Sequence, residues 1–471
     1  MNRDRRDLAR TDVDARGREL AAMTIVELSR LLASRKIASR ELVEQALAAI
    51  DDPHGEGSRV FLLVHAQAAR AAADRIDAQR RAGARLPVLA GIPLSIKDLF
   101  DEAGVTTLGG SRVLVGTAPA TRDSTVVERV RNSGATIIGR TNLTEFAYSG
   151  LGINPHYGTP KNAFDRASAR IPGGSTSGGA ISVSDGMAAG AIGTDTGGSV
   201  RIPAALNGLV AFKPTARRVP LDGALPLSSS LDSAGPIART VADCALLDQV
   251  LSAESVGTAA PVALRGLRFA VPRTVFLDDL SADVARAFAQ SLARLSQAGA
   301  TIVELPMAEF AQAATVSSRG SLVSAEAFAW HRRWIADGAD RYDPRVIMRI
   351  RPGETMSAAD YIDLLQLRRR FIRTITAVAS GYDALLMPTT PDTAPTIAEA
   401  SKDDDSYLRW NGRMLRNTSI VNAFDGCALS IPCHDPGSAP VGLMIAGTQD
   451  TDQRILAIGL AVEEIVRKAH A

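Results

Sequence analysis

Apolar positions along this chain follow two rhythms. Short apolar runs at 60–64, 136–138, 267–271, 301–305, 384–387 and 443–445 read as strands, and between them apolar residues recur at helical spacing over 281–297, 357–380 and 452–467. Thr24-Ile25-Val26-Glu27 has the form of a capping box opening an amphipathic helix, and Ser39 is expected to cap another over 41–50. Strands alternating with helices in this way predict an α/β fold, a sheet covered by helices. No internal repeat or low-complexity segment stands out. The least regular stretch, 389–405, holds Pro391, Pro395 and Asp403-Asp404-Asp405, and is expected to be a surface loop edging a pocket.

One stretch departs from these rhythms. Two serines, Ser175 and Ser199, each follow a glycine pair and bracket a small-residue, apolar segment at 180–193 that reads as a buried helix running into a strand. Glycine lets the backbone approach a bound group closely, so Thr196-Gly197-Gly198-Ser199 can aim successive N–H groups at one point. An anion or the oxyanion of an acyl-transfer intermediate needs such donors. A Gly/Ser linker would be polar throughout. A phosphate-binding loop would end Gly-Lys-Ser/Thr, and a hydrolase elbow would read Gly-x-Ser-x-Gly; neither pattern is completed at either serine.

A reactive serine needs a base. Of the six histidines, His156 is the nearest in sequence, in the loop-like Asn154-Pro155-His156-Tyr157-Gly158. Lysine is more telling, because the chain carries only Lys36, Lys97, Lys161, Lys213, Lys402 and Lys468 and otherwise uses arginine. Arginine stays protonated in proteins, whereas a buried lysine can lose its proton and act as a base. Lys97 ends the apolar, half-buried strand pattern Leu89-Ala90-Gly91-Ile92-Pro93-Leu94-Ser95-Ile96. The alternative is a salt bridge to Asp98 or Asp101, and Lys213, in Leu209-Val210-Ala211-Phe212-Lys213, has a similar context.

Three segments then carry a resemblance. Gly91-Ile92-Pro93-Leu94-Ser95-Ile96-Lys97-Asp98, Pro172-Gly173-Gly174-Ser175-Thr176-Ser177-Gly178 and Gly193-Thr194-Asp195-Thr196-Gly197-Gly198-Ser199-Val200-Arg201-Ile202-Pro203 resemble the signature segments of the amidase signature family. The likeness extends to Gly208-Leu209-Val210-Ala211-Phe212-Lys213-Pro214-Thr215 and Pro440-Val441-Gly442-Leu443. It implies one domain over 21–471, with a large mixed sheet covered on both faces by helices. It also implies a Ser-cisSer-Lys triad, with Ser199 as the acyl-forming nucleophile, Ser175 as the relay after a cis bond from Gly174, and Lys97 as the base. The N–H groups of Thr196, Gly197, Gly198 and Ser199 would form the oxyanion hole. Ala147, Tyr148 and Ser149 match a family segment lining the acyl pocket. Asp195 and Arg201, flanking the nucleophile, are expected to form a structural ion pair that pins the loop. The family usually has serine or glycine where this chain has the stiffer Thr176.

Composition narrows the partners. Net charge is +2 with acids and bases mixed, which leaves no basic footprint for nucleic acid. Cys244, Cys427 and Cys433 are too few for a disulfide framework, and Cys427, Cys433 and His434 lack zinc-site spacing, so no metal and no cofactor is expected. The N-terminal Arg5-Arg6 is followed by charged residues rather than an apolar segment, so 1–20 reads as a flexible leader. No stretch approaches a membrane span, and a cytoplasmic address is the default. The resemblance implies an enzyme cleaving the C–N bond of a small carboxamide, anilide, carbamate or urea, and a homodimer is compatible with it. The alternative is a glutamine-hydrolysing subunit that supplies ammonia within a tRNA-dependent amidotransferase.

Overall fold

Eleven strands form one mixed sheet: β1 (Phe61–Val64), β2 (Pro93–Lys97), β3 (Thr136–Thr141), β4 (Gly190–Thr194), β5 (Val210–Lys213), β6 (Ala234–Ala238), β7 (Arg268–Pro272), β8 (Thr301–Leu305), β9 (Ala384–Pro388), β10 (Cys427–Pro432) and β11 (Gly442–Gly447). Their order in space is β1-β3-β2-β4-β6-β5-β10-β11-β9-β7-β8. The computed structural model describes residues 17, 19–254, 259–317 and 321–467. The leader expected at 1–20 falls almost wholly outside them, as does His470, while Leu20 is buried in the main core.

Strands β3, β2 and β4 run parallel, as do β9, β7 and β8, and the strands between them pair antiparallel. Parallel neighbours need crossovers. The helix Thr125–Asn132 lies between β2 and β3, and the helix Ala282–Gln297 between β7 and β8.

Successive residues of a strand face opposite sides of the sheet. Leu443 and Ile445 enter one core cluster while Met444 and Ala446 enter another, so both faces are covered. This explains why β2 is buried along its whole length rather than alternately exposed. Strands β6 and β10 escape the apolar-run pattern because Gly235 and Pro236 interrupt one and Ser430 and Pro432 punctuate the other.

Helix starts follow local chemistry, with two corrections. The Thr24–Glu27 capping box forms as expected. Ser39 does not cap its helix: Ala38 stands at the cap, and Asp77, from the helix Ala66–Arg81, accepts the N–H groups of Ser39 and Arg40 at 2.8 and 3.0 Å. A carboxylate distant in sequence thus supplies what a local hydroxyl was expected to give. The stretch 389–405 is not a single loop either. Thr396 and Glu399 close a capping box on the helix Ile397–Ser401. Asp403 caps the helix Asp404–Ala423, placing Asp404 and Asp405 in its first turn, where acidic residues complement the helix dipole.

Candidate active site

Lys97 and Thr194 close the carboxyl ends of two adjacent parallel strands, β2 and β4. Open sheets bind ligands at such ends. The helix Ser177–Ser184 precedes β4 and the helix Arg201–Leu206 follows it, and each is approached through one of the two serines. Ser175 lies two residues before the first helix and Ser199 two residues before the second, so one strand and its flanking turns gather both.

The Lys97 ammonium nitrogen lies 2.7 Å from Ser175 Oγ and 2.9 Å from Thr194 Oγ1. Lys97 and Ser175 are fully buried. Asp98 is paired instead with Arg140 at 2.7 Å, and Thr107 donates to Asp101, so the salt bridge read as the alternative for Lys97 is not formed. Burial pushes the Lys97 amine down to about 7, against the opposing pull of the Asp195 and Asp232 charges. An amine so placed is largely neutral just above pH 7 and can take a proton from the neighbouring hydroxyl. Lys213 is also buried and lowered, to about 8, but its amine donates to the carbonyls of Pro214 and Gly426 at 2.7 and 2.8 Å. It therefore ties β5 to the start of β10.

The bond between Gly174 and Ser175 is cis. A Cβ on Gly174 would lie 2.5 Å from the Gly152 nitrogen, so only glycine fits there. Thr176 donates its N–H to the Ser199 carbonyl at 3.1 Å, linking the two serine turns. Its side chain fills the space over Gly179 and Gly193, where an added Cβ would meet it at 2.7 and 2.6 Å. A bulkier residue at 176 is thus accommodated by glycines on both sides.

Next to the serines lies a cavity of about 430 Å³, lined by Ala147, Tyr148 and Ser149 on one side and by Thr196, Gly197 and Ser199 on another. Of Lys97, Ser175 and Ser199, only Ser199 is among its lining residues. Ser175 and Lys97 lie in contact with each other away from its lining, both fully buried. Gly198 differs from its neighbours in the expected donor set: its N–H donates to Asp195 Oδ1 at 2.8 Å. That leaves Thr196, Gly197 and Ser199, whose N–H groups have no protein acceptor among the described residues. Gly198 has φ +134°, and a Cβ there would strike Thr418 Oγ1 at 2.2 Å. Asp195 and Arg201 form a fully buried ion pair at 2.9 Å that also engages Asn422. The Arg201 guanidinium holds the Asp195 carboxyl well below the usual range.

The Ser149 hydroxyl donates to Asn411 Oδ1 at 2.9 Å, and the Tyr148 hydroxyl donates to the Arg349 carbonyl at 3.0 Å. His156 pairs with buried Glu145 at 2.8 Å and is not among the residues lining the cavity. Thr194, Asp232 and Arg349 belong to this region yet carry no local signal in the sequence: one is a motif residue read only as context, and the others are an ordinary acid and one of many arginines. Among the described residues, no group of three His, Cys, Asp or Glu side chains is placed to hold a metal, the three cysteines are free and buried, and no helix is long and apolar enough to cross a membrane.

The amidase family model matches residues 41–456. The chain belongs to the amidase family. This amidase is 37% identical over 406 residues to a 2-amino-5-chloromuconic acid deaminase of Comamonas testosteroni, a match covering 86% of the chain and 87% of that relative. It is 34% identical to a glutamyl-tRNA(Gln) amidotransferase subunit of Acidothermus cellulolyticus over 96% of the chain and 95% of the relative. A crystal structure described as an amidase superposes with a TM-score of 0.84 at 30% identity, covering 94% of this chain and all of that one. The mixed sheet flanked by helices is therefore the fold of amidase signature enzymes, and the amidase is an amidohydrolase.

Proposed function

We propose that this amidase hydrolyses the C–N bond of a small amide whose acyl portion carries a carboxylate, through an acyl-enzyme on Ser199. Ser199 attacks the carbonyl carbon, its proton passes to Ser175, and the Ser175 proton passes to neutral Lys97. The proton returns by the same route to the leaving nitrogen, and water releases the acid by the reverse sequence. The observation that supports the relay is the contact of Lys97 Nζ with Ser175 Oγ at 2.7 Å, with Ser199 lining the cavity and its carbonyl accepting the Thr176 N–H. The N–H groups of Thr196, Gly197 and Ser199 receive the developing oxyanion, while Gly198 and the Asp195–Arg201 pair hold the loop.

Arg349 supports the carboxylate. It lines the cavity, stacks over the Tyr148 ring with its guanidinium carbon 4.3 Å from the centroid, and donates to the Tyr148 carbonyl. It forms no ion pair among the described residues, whereas Arg368, also lining the cavity, donates to the Ala423 and Asn422 carbonyls and lies 3.8 Å from Asp425. A fixed cation without a protein anion favours a substrate carboxylate. The muconic acid named for the Comamonas testosteroni relative is consistent with this chemistry.

Replacing Arg349 with methionine is expected to raise KM for a carboxylate-bearing amide by about tenfold or more and to leave its neutral analogue within about twofold. Steady-state kinetics on the matched pair checks this. Equal effects on both substrates would remove the carboxylate from the proposal.

A second reading has a specific observation behind it: the near full-length likeness to the glutamyl-tRNA(Gln) amidotransferase protein of Acidothermus cellulolyticus. There the same relay would hydrolyse glutamine within a larger assembly. The purified chain assayed alone against carboxylate-bearing amides, glutamine, neutral amides, anilides and esters separates the two. Turnover by the isolated chain supports the free-standing enzyme, and activity appearing only with a partner protein supports the second reading.

The relay also fixes a pH dependence. Protonated Lys97 cannot accept the Ser175 proton, so kcat/KM is expected to fall on the acid side with a midpoint near 7. A profile flat down to pH 5 would contradict a lysine base.

A further inference from the structure

Behind the part of the cavity wall formed by Leu227 and Leu231 stands a carboxylate that the scheme above does not use. Asp232 is 7% exposed. Its Oδ2 accepts the N–H groups of Leu227 and Ser228, each at 3.0 Å, and its own N–H donates to the Ser228 carbonyl at 2.8 Å. These bonds close the turn, and a neutral side chain could make them. Oδ1 does something else: it accepts the Thr196 hydroxyl at 2.5 Å, across to the loop that bears the oxyanion donors. Two charged groups face Asp232 from farther off: the Lys97 amine, whose proton it helps to hold, and another carboxylate, Glu326, itself held by Ser228, Ser230 and Tyr361. Burying a carboxylate is costly, and turn closure alone does not require one.

Beyond the backbone bonds from Thr176 to the Ser199 carbonyl and from Ile202 to the Gly198 carbonyl, three side-chain tethers hold the loop from Thr196 to Ser199. Thr418 donates to the Gly197 carbonyl at 2.6 Å, the Gly198 N–H donates to Asp195, and the Thr196 hydroxyl donates to Asp232. The first two come from the helix Asp404–Ala423 and from the buried Asp195–Arg201 pair. Ser233 pairs with Asp195 just before the loop, and among these three side-chain tethers the third alone runs from the loop itself to the turn that carries Leu227 and Leu231. We propose that Asp232 is a positioning residue for the hydrolysis: acting through the Thr196 hydroxyl, it locks the oxyanion loop to the wall formed by Leu227 and Leu231, so that the Thr196 and Gly197 N–H groups keep their aim on the reacting carbonyl. Oxyanion donors act through preorganisation, and a donor free to turn loses most of its effect on the transition state while ground-state binding changes little. This role rests on Ser199 being the residue that attacks.

The test compares Thr196→Val, Thr196→Ser, Asp232→Asn and the Thr196→Val/Asp232→Asn pair in the full chain, on one amide that the parent turns over. Reactive sites are counted with a fluorophosphonate, so that kcat refers to competent Ser199 alone. Thr196→Val is expected to lower kcat by about tenfold or more with KM within about threefold, and Thr196→Ser, which keeps the hydroxyl, to stay near the parent. Asp232→Asn, whose oxygen can keep the Leu227 and Ser228 bonds while its NH2 faces the Thr196 hydroxyl in place of a carboxylate acceptor, should lower kcat comparably, and the pair should lose no more than the worse single variant, because both disrupt one tether. Multiplied losses in the pair, or a Thr196→Val enzyme within about twofold of the parent, would overturn the proposal. Should Asp232→Asn not fold, the valine and serine variants decide: equal losses in both would overturn it. Failure of the parent to take the label on Ser199 would instead sink the hydrolytic reading itself, independently of Asp232.

Discussion

Replacing Ser199 with alanine is expected to abolish amide turnover, lowering kcat by roughly 10⁴-fold or more. Of the three residues of the proposed relay, Ser199 alone lines the cavity, so on this reading no neighbouring hydroxyl can take its place without the backbone moving. The substitution removes one oxygen and leaves the local frame in place. The Ser199 carbonyl still accepts the Thr176 N–H, and the Asp195–Arg201 pair still holds the turn. Folding, followed by thermal melting, should therefore be little changed while turnover disappears. A Ser199→Ala protein retaining more than about a tenth of parental kcat would move the attack elsewhere.

Lys97→Met is expected to lower kcat/KM by about 10²- to 10⁴-fold, the range for loss of a positioned base, and to remove the acid limb near pH 7. Methionine keeps the length of the side chain in a fully buried site, so the loss reports chemistry rather than packing. Stability should respond in the opposite direction, with a defined pH window. The buried amine has its folded value lowered to about 7 from an ordinary 10.5, so the unfolded chain holds the proton more tightly between those values. Parental stability therefore gains from this group as pH rises through that window, and its burial cost is fully present below it. The melting temperature of Lys97→Met relative to the parent should be highest below pH 7 and should decline toward pH 10. A constant difference across that range would mean that Lys97 does not titrate as a buried neutral amine.

Much of this site was legible because its parts are contiguous. Ser175, Ser199 and their glycines sit in one stretch, and Lys97 ends an apolar run in a chain that otherwise favours arginine, a context shared with Lys213, so that the resemblance rather than the run singled it out. The strands with unbroken apolar runs were legible for the same reason. What escaped the sequence is what tertiary contact decides. Asp77 takes over the cap expected of Ser39, and Pro236 lies inside a central strand, paired with Ile192 across from it, where propensity argues against it. Asp403 turns an apparent acidic loop into the start of a helix that carries Leu415, Ser419 and Ile420 to the cavity. Thr194, Asp232 and Arg349 gain their places only when β2 meets β4, when the turn around Ser228 meets the loop from Thr196 to Ser199, and when the helix Pro344–Ile350 packs beside Tyr148. Gly198 illustrates the converse. A motif residue that looks like a donor to substrate is held by the Asp195 carboxylate instead.

The most direct test of the relay is the site of covalent attachment. The purified protein is treated with a fluorophosphonate, digested, and the modified peptide sequenced by tandem mass spectrometry. A single adduct on the Ser199 oxygen is expected, absent from Ser199→Ala and strongly slowed in Lys97→Met. An adduct on Ser175, or labelling that persists undiminished in Ser199→Ala, would contradict attack by Ser199.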